Sequence, residues 1–203
     1  MPFGLFGKRR EPIATRDGFD DFLDANGAFL VQRCLYEYAR GAAAYNWQPL
    51  MGEPIFQAAM ERSRWLAYPL GVAAVAEVAE GVLRPAAGAR APALAEAVER
   101  ASSRVLGRQE PPVAVDTEEW RVAREDAEHR VARAKLAAPR EVRIVAGGIA
   151  REVFNLIPIV EQFRGRDPYM AKNNLAVALI AIHTEFVERA DGAALVGALV
   201  PAA

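Results

Sequence analysis

The chain has 203 residues, with 25 basic and 26 acidic side chains and a formal net charge of −1. That length suits one domain, which buries roughly 70% of its unfolded surface and needs no staples. The charge balance argues against nucleic acid as a partner, because nucleic-acid binders carry a basic excess on one face. Three serines (Ser63, Ser102, Ser103), three threonines, two histidines and one cysteine stand against 41 alanines.

Alanine with leucine, glutamate and arginine favours helix, because these side chains lose little freedom there. Only Lys8, Lys135 and Lys172 among the basic residues are lysine, which with the alanine content fits a GC-rich bacterial coding sequence. Cys34 has no second cysteine to pair with, consistent with a reducing compartment. Residues 1–10 place apolar groups before charges, the reverse of a secretory signal. The run Trp65–Leu83 is long enough for a membrane span. It carries Glu77 and Glu80, however, each costing about 2.5–3.5 kcal/mol at mid-bilayer.

In chain order, residues 1–14 read as a flexible arm broken by Pro2, Gly4, Gly7 and Pro12. Residues 15–203 form a single helical domain. Thr15 or Asp17 caps a first helix to about Ala44. Its stripe is Phe19, Leu23, Leu30, Cys34 and Tyr38, spaced by threes and fours and flanked by Phe22, Phe29 and Leu35. Asn46, Pro49 and Gly52 mark a turn, and Pro54 opens a second helix to about Arg84. Ile55, Ala59, Leu66, Leu70, Ala73 and Leu83 make its inner side, with Arg62, Glu77, Glu80 and Arg84 opposite. Pro69 removes a backbone donor mid-helix and predicts a kink. A third helix covers about Pro92–Leu106.

A linker near 107–116 holds Pro111 and Pro112. Asp116 or Thr117 caps the next helix, and Asp116 with Glu119 resembles a capping box. This helix, to about Ala137, is the most charged, with acids early and bases late. Its stripe of Trp120, Ala127, Val131 and Ala134 is thin. A fifth helix spans Arg140–Ile157, with Gly147 and Gly148 suited to close packing. Asp167 caps a sixth, with Pro168 at its first position. Leu175–Ile182 is apolar on every side, which predicts the centre of the bundle. Ala193–Val200 supplies a last short turn. The fold expected is all-α, an irregular bundle of six to seven helices.

Catalytic templates are missing. No Gly-x-Ser-x-Gly elbow supports a serine nucleophile, and Ser102 and Ser103 suit surface positions near a helix end. Cys34 and His183 are expected on apolar faces, as a core thiol and a core imidazole. Asp126-x-x-His129 occurs once, where a di-iron bundle needs two Glu-x-x-His motifs. Cysteine and histidine are too few for zinc. No metal, cofactor or catalytic residue is therefore assigned.

Two features carry functional expectations. Phe3, Leu5 and Phe6 precede Lys8, Arg9 and Arg10, a pattern suited to weak contact with an anionic membrane surface. Arg62, Arg64, Trp65 and Tyr68, with Tyr45 and Trp47 expected nearby, have the composition of an interface anchor. The leading reading is a non-enzymatic intracellular adaptor or assembly factor, cytoplasmic or peripheral to the membrane, with a protein partner. The rival is a small-molecule-binding protein or enzyme with a pocket between kinked helices holding Glu77 and His183.

Overall fold

The computed structural model describes residues 11–135, 137–159 and 168–201. Within them the chain is an all-α, single-domain bundle. Its helices are α1 (Arg16–Ala43), α2 (Trp47–Gly52), α3 (Pro54–Ala87), α4 (Ala91–Gly107), α5 (Thr117–Ala134), α6 (Val142–Leu156), α7 (Tyr169–Arg189) and α8 (Gly192–Leu199). The short α2 is the element the sequence reading took for a turn. Polar caps set three of the starts. Thr15 accepts from the Gly18 amide at 3.1 Å, Asp116 from Glu118 and Glu119 at 2.9 and 3.1 Å, and Asp191 from Ala194 at 3.0 Å. Each satisfies amides the helix leaves without partners. The capping box at Asp116 is only half formed, because the Glu119 carboxylate pairs with Arg62.

The centre of the bundle is α3, not α7. Helices α1, α2, α4, α5, α6, α7 and α8 all pack on α3, and residues 66–76 of α3 are buried without a break. In α7, Leu175, Leu179, Ile182 and Phe186 are buried as expected, but Val177 is 60% exposed, so the helix has an outer face despite its composition. At the start of α3 the expected inner residue Ile55 is 86% exposed. Its expected polar side is instead enclosed. The Glu77 and Glu80 carboxylates are nearly buried, held bidentately by Arg140 at 2.6 and 2.7 Å and by Arg84 at 2.8 and 2.7 Å. Arg84 also donates to the Ala137 carbonyl at 2.8 Å, tying the α5–α6 connection to α3. The helix runs unbroken through Pro69 and Pro85 and stops at Gly88, whose φ of 54° favours glycine.

Helices α1 and α3 meet backbone to backbone. A Cβ placed on Gly71 would lie 2.2 Å from the Gly27 carbonyl oxygen, and one on Gly27 would lie 2.8 Å from the Val72 amide nitrogen. The two backbones touch because neither residue has a side chain. Gly147 makes a looser version of the contact foreseen for it, against the aliphatic stem of Lys172 at 3.3 Å.

Docking contacts are already made ahead of Thr15. Ile13 is buried, its amide donates to the Arg189 carbonyl at 2.9 Å, and its carbonyl accepts from Asp191 at 3.2 Å. The arm residues Phe3, Leu5, Phe6, Lys8, Arg9 and Arg10, and the expected cap Asp167, lie outside the described residues. The stretch Pro54–Gly107 is long and apolar enough to cross a membrane, but 83% of its most apolar window is buried inside the bundle. That burial is what a core helix shows.

Candidate functional site: the groove between α5 and α6

Helices α5 and α6 both pack on α3 yet barely touch one another. Between them lies a groove of about 1030 Å³. Its floor is apolar, with Leu66 and Leu70 from α3 beside Val122, Ala123 and Leu156. The α5 wall carries Glu118 and Glu119 near its start, Asp126 just past its middle, and His129, Arg130 and Arg133 toward its end. Glu152 and Asn155 stand on the α6 wall.

The thin stripe of α5 explains the gap. Trp120, Ala127 and Val131 turn inward and are buried, while Ala134 is only half-buried. Three buried positions in five turns, one of them alanine, cannot bring α5 against both α3 and α6, because packing needs an apolar face on each contact. Arg130 links the two walls. It donates to the Gly148 carbonyl at 2.9 Å and pairs with Glu152. Gly148 leaves room for that guanidinium, whose Nη1 lies 3.8 Å from where a Cβ would be. The Arg130 Nε is buried without an acceptor.

Three of the four expected interface residues are engaged within the fold. Arg62 pairs with Glu119, and Trp65 meets Trp120 edge-on at 5.7 Å, so both fix α5 to α3. Tyr68 is buried and donates to Asp24 of α1 at 2.7 Å. Burial and that carboxylate raise its phenol well above the ordinary range. Arg64 is exposed and borders a small cavity of about 180 Å³ with Asp24, Glu61 and Trp65. The expected neighbours lie elsewhere: Trp47 packs on Tyr36 at 4.9 Å and Phe56 at 6.4 Å, and Tyr45 is fully exposed.

The residues of the rival pocket are not brought together. Glu77 borders a void of about 10 Å³ with Glu80, Val131 and Lys135. His183 is half-buried and not a core imidazole, and it lines neither that void nor the groove. The histidine of the groove is His129, exposed on α5 beside Asp126. No group of three metal-ligating side chains occurs among the described residues. Ser102 is buried rather than at the surface and donates to the Val98 carbonyl at 3.1 Å, while Ser63 donates to Ala59 at 2.7 Å. Cys34 is buried and donates to the Ala171 carbonyl at 3.5 Å. Burial pushes its thiol up to about 12.

One charged cluster escaped the sequence reading. The Asp20 carboxylate of α1 is 1% exposed and accepts from Arg104 at 2.9 and 3.0 Å and from Arg108 at 3.0 Å, both at the end of α4. Asp20 lies among Asp17, Asp21 and Asp24, a run that reads as a solvated face. Its basic partners come from a distant helix, which no local spacing announces. Comparison with family models, curated proteins and solved structures gives no match, so the groove is read from its geometry.

Proposed function

We propose that this chain is a non-enzymatic adaptor, which receives a segment of a partner protein in the groove between α5 and α6. The observation that carries the reading is the groove itself: two walls seated on α3, unpacked against each other, above an apolar floor. Interfaces of this kind combine an apolar centre with a polar rim, and here Leu66, Leu70 and Val122 are ringed by ionised side chains. The lining residues include no nucleophile paired with a base, the arrangement covalent catalysis needs. The intracellular placement inferred from the single cysteine agrees with this reading. A weak anionic-membrane contact through Phe3, Leu5, Phe6 and Lys8–Arg10 is a separate proposal.

Site-specific photo-crosslinking tests the reading. A photoreactive side chain at Val122 in the groove should capture one discrete protein segment in native cells. The same group at Val177, exposed on α7, should not. Equal capture at both positions, or a retained small molecule seen by native mass spectrometry and displaced by the Val122 label, would replace the adaptor with the ligand-binding rival.

A further inference from the structure

The groove has a direction. The lining residues of α5 run from Glu118 to Arg133, about 22 Å at 1.5 Å per residue, or four turns of helix. Spread over that length, 1030 Å³ gives a cross-section of about 47 Å², roughly half that of a helix 10–12 Å across. That is the scale of a helix seated to about half its depth, with one apolar stripe on Leu66 and Leu70 and its other side in water.

Charge fixes which way such a helix lies. The acids Glu118 and Glu119 line one end, Asp126 lies just past the middle, and His129, Arg130 and Arg133 line the other end. Glu118 and Glu119 already share Arg121 and Arg62, and Arg130 holds Glu152. Asp126, on an exposed stretch of α5, and Arg133 have no ion-pair partner among the described residues. Helices generally carry acids in their first turn and bases in their last, which complements their dipole. A helix of that ordinary polarity matches the groove in one orientation only. Packing against α5 and α6 together adds no preference, because those two helices run in opposite directions and their dipoles oppose.

We propose that the groove binds an amphipathic partner helix antiparallel to α5, its acidic first turn against His129 and Arg133 and its basic second half along Asp126, Glu119 and Glu118. The proposal rests on the adaptor reading and specifies its partner. The chain's own arm is a poorer occupant. It joins at Glu11, and Ile13 docks beside Ala190, while Gly192 lies against Ala86 near the end of α3. Helix α5 runs in the same direction as α3, with Trp120 at Trp65 and Val131 near Glu80. From that tether the groove is reached at its Arg133 end, and Lys8, Arg9 and Arg10, the arm residues next to Glu11, repeat the charge of that end.

The test uses two synthetic helical peptides of identical composition and about four turns, with leucines spaced by threes and fours. One begins with glutamates and ends with lysines; the other reverses them. The acidic-first peptide should bind the full chain about tenfold more tightly, equivalent to 1.4 kcal/mol. A spin label on its N-terminus should broaden the amide signals of Ala132 and Arg133 before those of Glu118 and Asn155. The double variant Asp126→Lys with Arg133→Glu changes two exposed residues and should invert the preference. Equal affinity for both peptides, or broadening at the Glu118 end, would overturn the orientation while leaving the adaptor reading standing. Failure of both peptides to shift groove signals, with Val122 still crosslinking to a protein segment, would overturn the helical occupant alone. Failure of both peptides together with an empty Val122 crosslink would overturn the adaptor reading too. A free chain that sediments as a dimer and monomerises on Val122→Glu would assign the groove to a second copy.

Discussion

The seam between α1 and α3 and the groove between α5 and α6 are two solutions to packing on the same central helix. At the seam, Gly27 and Gly71 bring backbone against backbone, with Val31, Val72 and Leu23 buried around them. At the groove, α5 contributes three buried side chains and leaves charged groups facing empty space. The first arrangement tolerates no added atom. The second has room for a helix seated to about half its depth. Close packing makes interiors sensitive to single methylenes, so stability should rest on the seam, and the groove is the place proposed for a partner.

Substitutions should expose that division. The largest effect is expected for Gly71→Ala, where the new Cβ must displace a backbone carbonyl and not a flexible side chain. Overpacking typically costs about 1–3 kcal/mol, and this site should reach or exceed the upper end, measured by chemical denaturation. Gly148→Ala, facing only Arg130 across the groove, should cost far less. Leu179→Ala, in the buried stripe of α7, should lose about 2–5 kcal/mol although α7 is not the centre. A loss under 1 kcal/mol would show that α7 is loosely held.

Asp20→Ala should follow, at about 1–3 kcal/mol. The carboxylate is buried, but Arg104 and Arg108 are 37% and 47% exposed and keep water after its loss, so the penalty falls below that of a fully buried pair. Arg124→Ala on α5 should change stability by less than about 0.5 kcal/mol, since its pairing with Glu128 at 3.9 Å is loose and local. Cys34 reports on the rigid side without any substitution. With its thiol pushed up to about 12, the reactive thiolate is scarce below pH 9. A thiol reagent should label native protein slowly and unfolded protein fast. The smallest effect is expected from deleting residues 2–10, which precede Ile13, the first docked residue among those described. The melting temperature should not move, and any loss of co-sedimentation with anionic vesicles would isolate the arm's contribution.

Local signals in the sequence carried much of the fold. The stripe Phe19, Leu23, Leu30, Cys34, Tyr38 is buried throughout, and the caps Thr15 and Asp116 act where they were expected. What local spacing could not reveal came from partners distant in the chain. Gly27 and Gly71 each look like a weakness inside a helix until the two are brought together. Glu77 and Glu80 suggested a solvated face because Arg140 and the α5–α6 connection that enclose them lie far away. The groove was legible only as its cause, the thin stripe of α5. Its floor of Leu66 and Leu70 had been assigned to the core, and its histidine is His129 and not His183.

Hydrogen exchange, recorded on the free chain and again with the acidic-first peptide, tests the contrast most directly. Elements with fewer buried contacts open before the core does. In the free chain the amides of α5 should exchange well ahead of those flanking Gly71 in α3. The peptide should slow α5 and α6 while leaving the seam unchanged. Exchange of α5 and α3 at one common rate, with no slowing by the peptide, would contradict the account: α5 would then be an ordinary part of the core, and the groove a gap with no occupant.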